Sequence, residues 1–172
     1  MKSTKKLLAL MALTAVEIYM PVIAGLAPHI GQMLQPMHIP VLLAAYFVGG
    51  PMATLLGAVA PVLNYSIWGM PGLPNVIPMS AELAVYGFVA AAGYEHSKKR
   101  GKSIVKSLLF AMLTGRIVWG VVSYFVQHSM GNQFTFEMFI KQGFTNAIPG
   151  IILQFMIVSI GVYHMKKHQN VI

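Results

Sequence analysis

Two apolar runs separated only by Gly49-Gly50-Pro51 constrain this chain most. The first run, Val41 to Val48, follows Met37-His38-Ile39-Pro40; the second runs from Met52 to Leu63 and ends in Asn64, Tyr65 and Trp68. Two glycines and a proline in a row cannot continue a helix, because proline lacks the N–H and clashes with the preceding turn. The stretch therefore predicts a short helix, a tight turn and a longer helix. The first arm, over 39–49, is too short to cross a bilayer upright, since crossing takes about 20 residues. It must be tilted or joined to neighbouring loop residues. The polar and aromatic far end of the second arm has the character of a small-molecule pocket.

The surroundings of such a hairpin follow from composition. Charged residues make up 9% of the 172-residue chain and hydrophobic residues 56%. A soluble domain carries about 25% charged residues. One integral membrane domain over 1–172 is expected, with spans at about 7–27, 39–49, 52–69, 77–95, 104–127 and 143–165. Glu17 inside the first span, and the length of that span, argue against a cleaved signal peptide. There is no Cys and no Asp; the acids are Glu17, Glu82, Glu95 and Glu137. Disulfides, thiolate metal sites and Cys nucleophiles are excluded. No metal and no cofactor are expected, because His29 and His38 are isolated in sequence. Enzyme signatures such as a Walker motif, HExxH or Gly-x-Ser-x-Gly do not occur.

The net charge of +8 is an orientation signal. Six crossings place Lys2, Lys5, Lys6, Lys98, Lys99, Arg100, Lys102, Lys106, Lys166 and Lys167 on one side and Lys141 alone on the other. That asymmetry makes the basic side, with both termini, cytoplasmic. Anionic lipid is the secondary partner of these charges, and nucleic acid is not one.

Polar residues inside the spans are the candidate site. Asn64, Glu82 and Asn146 lie four or five residues in from the outer ends of their spans. Arg116 and Gln154 lie deeper. Asn146, Gly150 and Gln154 share a helix face, as do Glu82 and Tyr86. Lipid would penalise these groups, so they face inward. Asn64, Trp68, Glu82, Tyr86, Arg116, Asn146 and Gln154 are taken as the substrate-binding set. The plain alternatives are interhelical hydrogen bonds for the amides, belt or packing roles for the aromatics, and a buried Glu82–Arg116 pair. The estimated depths of Glu82 and Arg116 differ by several residues. Pro28 to Pro36 is expected to be an apolar loop closing like a lid, and 70–75 a second loop. A short surface helix is expected between His128 and Gln142. Ala9, Ala12 and Ala15 offer a small-residue side for another membrane helix.

His38-Ile39-Pro40-Val41-Leu42-Leu43, Gly49-Gly50-Pro51, Gly57, and Pro78 with Ala81-Glu82-Leu83-Ala84-Val85-Tyr86-Gly87 resemble the substrate-binding S components of energy-coupling factor (ECF) vitamin transporters. The likeness covers about residues 5–168 and is closest to the pantothenate-type group. It implies an all-α bundle of six transmembrane helices in a bacterial plasma membrane, binding a vitamin from outside. It further implies docking on a transmembrane coupling subunit with two ATP-binding subunits, and toppling in the bilayer to release the vitamin. Many members carry Ala-x-x-x-Ala on the first helix for docking; here Ala9, Ala12 and Ala15 are three apart, which shifts that surface. Pantothenate is the expected substrate, because Arg116 favours an anion; the alternative rests on Glu82. Glu82 with aromatics favours instead a neutral or cationic ring, such as hydroxymethylpyrimidine or pyridoxine. A membrane assembly or scaffold protein is the rival class.

Overall fold

The structure, a computed structural model, describes the backbone of residues 3–99 and 104–169 and the side chains of 4–97 and 104–165. The side chains of Lys2, Lys98, Lys99, Arg100, Lys102, Lys166 and Lys167, most of the orientation signal, lie outside the described set. Among the described residues eight α-helices follow in order: α1 Ser3–Gly25, α2 Pro28–Leu34, α3 His38–Phe47, α4 Gly50–Trp68, α5 Leu73–Lys99, α6 Ile104–Ser129, α7 Phe136–Ile140 and α8 Ile148–Gln169. A π-helical turn, Lys141–Thr145, joins α7 to α8. No strand occurs among the described residues.

Among the described residues four helices, α1, α5, α6 and α8, are long and apolar enough to cross a membrane. Helix α4 has 19 residues, close to a crossing length, and is not one of those four. The predicted hairpin is present. Gly49 adopts φ 118°, a conformation open to glycine and strained for a side chain, and Pro51 stands in the first turn of α4.

Helix α3 is the axis of the bundle. It has ten residues, and seven of them, from His38 to Tyr46, are buried. A helix apolar on every side is stable only when surrounded. Helices α1, α4, α5 and α8 pack around it. Helices α4 and α5 touch through backbone: a Cβ on Gly57 would collide with the Leu83 peptide, and one on Gly87 with the Ala53 peptide. Small residues permit this approach, which is how helices associate where lipid supplies no hydrophobic drive.

Two expected loops are different in the structure. Pro28–Leu34 is helix α2, because Pro28 supplies a ready N1 residue and Gly31 lets the helix lie against Ala24. The loop expected over 70–75 ends at Gly72, since α5 already begins at Leu73 with Pro74 in its first turn. The short helix expected within 128–142 is α7, capped by Thr135, whose hydroxyl accepts from the Met138 N–H at 3.2 Å.

Candidate functional site

A cavity of about 1010 Å³ lies at the end of the bundle away from the end of α5 and the start of α6. It is bordered by the end of α1, by α2, by the starts of α3 and α5, by α6, and by the approach to α8. Ligand cavities run to roughly 1,000 Å³, so a small molecule fits. Proline placement shapes it. Pro21, Pro28, Pro36 and Pro71 line the wall, where α1 ends and α2, α3 and α5 begin.

Its polar floor is a chain of side chains centred on Glu82. Arg116 Nη1 approaches Glu82 Oε1 at 3.1 Å, and His38 Nε2 approaches Glu82 Oε2 at 3.4 Å. All three residues are buried. Arg116 also donates through Nη2 to the Gln35 side-chain oxygen. The Gln35 carbonyl meets His38 Nδ1 at 3.1 Å and accepts from Gln154 Nε2 at 3.3 Å. Gln35 itself adopts a left-handed conformation, φ 45° and ψ 56°, which ends α2 and turns the chain into α3. The expected depth gap between Glu82 and Arg116 is thus closed. Helix α5 starts at Leu73 rather than Ile77, which sets Glu82 a further four residues, about 6 Å, into its helix. The long arginine side chain covers the remainder.

Trp119 also borders the cavity, with Phe134 and Phe139 packed against it. Trp119 stacks on Phe139 with centroids 6.3 Å apart and meets Phe134 edge-on at 5.7 Å. Phe139 lies where a Cβ on Gly120 would be, so the absent side chain makes the seat. Met33, Met37, Met70 and Met79 complete the apolar lining, and Gln32, Asn75, Gln142 and Asn146 add amides. Methionine fills irregular gaps and adapts to the shape of an occupant.

The seven expected site residues separate into three groups. Glu82, Arg116 and Asn146 line the cavity. Tyr86 lies behind the floor, its ring 5.3 Å from His38 and seated against Gly115; Gln154 holds the Leu34 and Gln35 carbonyls at 3.4 and 3.3 Å. Asn64 and Trp68 are elsewhere. Asn64 Nδ2 donates to the Glu17 carbonyl at 3.3 Å and Trp68 Nε1 to the Ile18 carbonyl at 2.8 Å, so both tether α4 to α1. Sequence reasoning missed Gln35 and passed over His38 and Trp119. His38 beside Pro40 at the start of the buried helix was the available signal; Gln35 had none.

A family model for the ECF transporter substrate-specific component matches residues 7–166. The chain belongs to that family. Its members bind a small-molecule substrate and associate with coupling and ATPase modules. No curated protein and no solved structure matches significantly. In this S component the family's substrate role meets a cavity with a charged floor, an aromatic wall and a short helix, α2, across one side.

The first helix places its small residues unevenly. Ala9 packs partly against the core, whereas Ala12 and Ala15 are exposed. Among the described residues no group of three His, Cys, Asp or Glu could hold a metal.

Proposed function

We propose that this S component captures a vitamin-sized compound in the cavity floored by Glu82, Arg116 and His38. It would hand the compound to an ATP-driven coupling complex across a bacterial plasma membrane. The six passes would be α1, α2 with α3, α4, α5, α6 and α8, with the cavity on the outside and the basic turn inside.

The observation that carries the substrate class is the Glu82–Arg116 pair. Arg116 taken alone favours an anion, because its planar donors match a carboxylate. Paired with Glu82, its charge is already balanced. A second carboxylate would enter a low-dielectric site against Glu82. A neutral or weakly basic ring, able to stack on Trp119 and to bond the amides, fits better; hydroxymethylpyrimidine and pyridoxine have that chemistry. Pantothenate is the second reading, favoured by Arg116 Nε, which is buried without a hydrogen-bond partner.

Mass spectrometry of the compound extracted from purified protein tests this directly, followed by calorimetry with the three candidates. The expected result is a ring compound bound at least about tenfold tighter than pantothenate, a difference of 1.4 kcal/mol. Pantothenate recovered from the protein and bound tightest would reverse the order.

A further inference from the structure

The amides of this chain divide by what they hold. Asn64 and Gln154 bond carbonyls of neighbouring elements, and Gln35 accepts from Arg116. Gln127 accepts from Asn132 at 3.0 Å. Gln142 and Asn146 are different. Both line the cavity, both are exposed, and neither side chain bonds another described residue. Gln32 on α2 and Asn75 on α5 are also unspent, but each is alone on its helix. Gln142 and Asn146 stand together, one turn apart, on the π-helical turn and at its C-cap. The backbone beneath them is tied, since the Asn146 N–H donates to the Lys141 carbonyl at 2.8 Å. Turns of this kind are frequent at functional sites.

The neighbour of this turn says what the two amides read. Gly143, between them, is buried, and a Cβ there would stand 3.3 Å from the Trp119 indole. Trp119 borders the same cavity, so a ring resting on it has the two amides beside its edge. An amide presents a carbonyl acceptor and an NH2 donor side by side. Its two-point complement on a flat ring is an amino group next to a ring nitrogen, the edge by which asparagine and glutamine read adenine. A hydroxyl offers one oxygen and a carboxylate only acceptors, so neither matches that pair. Among the described residues, Glu82 and Arg116 are the only Asp, Glu, Lys or Arg lining the cavity, and they pair with each other. We infer that Gln142 and Asn146 are specificity-determining residues that select a ring carrying an amino group beside a ring nitrogen, as in an aminopyrimidine. The inference rests on the ring-compound reading and deepens it. It separates the two rings named there: hydroxymethylpyrimidine carries such an edge, and pyridoxine, a pyridine without an amino group, does not.

Calorimetry on the purified protein in detergent tests this with three probes: hydroxymethylpyrimidine, its counterpart with hydrogen in place of the amino group, and pyridoxine. The unaltered protein should bind the amino compound at least about tenfold tighter than either of the others, because a site built to hydrogen-bond a group rejects the analogue lacking it. Gln142→Leu combined with Asn146→Leu should erase most of that preference. Asn146→Gln, which keeps an amide, should keep most of it. Both positions are exposed, so these substitutions leave the core as it is. A preference that survives in the double variant would overturn the assignment of these residues. Equal weakening of all three probes would overturn it too, since the amides would then be indifferent to the amino group. Ring compounds bound by the unaltered protein without any preference for the amino edge would sink this inference and leave the ring-compound reading standing. Failure of every ring probe to bind would remove that reading, and this inference with it.

Discussion

Glu82 is the residue on which stability and the proposed binding meet. It faces Arg116 at 3.1 Å and His38 at 3.4 Å with almost no exposure. Breaking a buried pair by removing one partner costs about 3–5 kcal/mol, because the other charge is stranded; replacing both by apolar groups is often neutral. Arg116→Met should therefore lower stability by about that much, whereas Glu82→Leu with Arg116→Met should recover most of it while losing substrate. Thermal unfolding of the three proteins in detergent, together with ligand retention, checks both halves. A double variant that is no more stable than Arg116→Met would show that the pair does not act as a unit. Full ligand retention in the double variant would remove the pair from the site. Gln35 belongs to the same network, since its side chain meets Arg116 and its carbonyl meets His38 and Gln154. Gln35→Leu leaves Arg116 short of one acceptor and should weaken binding by about tenfold, roughly 1.4 kcal/mol, in calorimetry with the extracted compound. Unchanged affinity would confine Gln35 to shaping the backbone.

At the scale of elements, glycine decides how closely the helices approach. Gly57 and Gly87 face the backbone of the opposite helix across the α4–α5 contact. Gly57→Ala must push the helices apart, and overpacking of this kind costs about 1–3 kcal/mol. Denaturant or thermal unfolding should show it, and a stability equal to that of the unaltered chain would mean the contact yields freely. The same contact explains what the sequence made legible. Gly49-Gly50-Pro51 announced the break between α3 and α4 because no helix tolerates it. Charged residues in apolar runs announced Glu82 and Arg116 because lipid penalises them. Asn64 and Trp68 stand apart from the cavity residues because a polar residue near a helix end can serve a neighbouring helix as readily as a ligand; here both reach carbonyls of α1. Helix α2 was read as a loop because seven residues are too few for a periodic signal, and its proline looked like a terminator when it is an N-terminal starter. The aromatic wall was illegible for a different reason. Trp119 and Phe139 are distant in sequence and meet only through the gap at Gly120.

For the whole molecule, the disposition of the helices ties orientation to function. The cavity, the α6–α7 connection and Lys141 stand at one end of the bundle; Lys5, Lys6 and Lys106 stand at the other. If the basic end is cytoplasmic, the cavity faces the outside and a substrate enters from there. The sequence contains no cysteine, so one introduced cysteine at a time reports its own side without interference. Asn132 lies in the exposed connection after α6, and Lys106 is exposed at the start of the same helix. Between them lie 26 helix positions' worth of rise less a turn or so, which at 1.5 Å per residue is more than the roughly 30 Å of a bilayer's hydrocarbon core. A membrane-impermeant maleimide applied to intact cells should label Asn132→Cys and spare Lys106→Cys until the membrane is opened. Labelling of Lys106→Cys alone would invert the molecule and turn the cavity inward. Such a molecule would take its compound from the cytoplasm, and the proposal of capture from outside would fail. Equal labelling at both positions would mean that α6 does not cross the bilayer, and the six-pass arrangement would then be wrong at that helix.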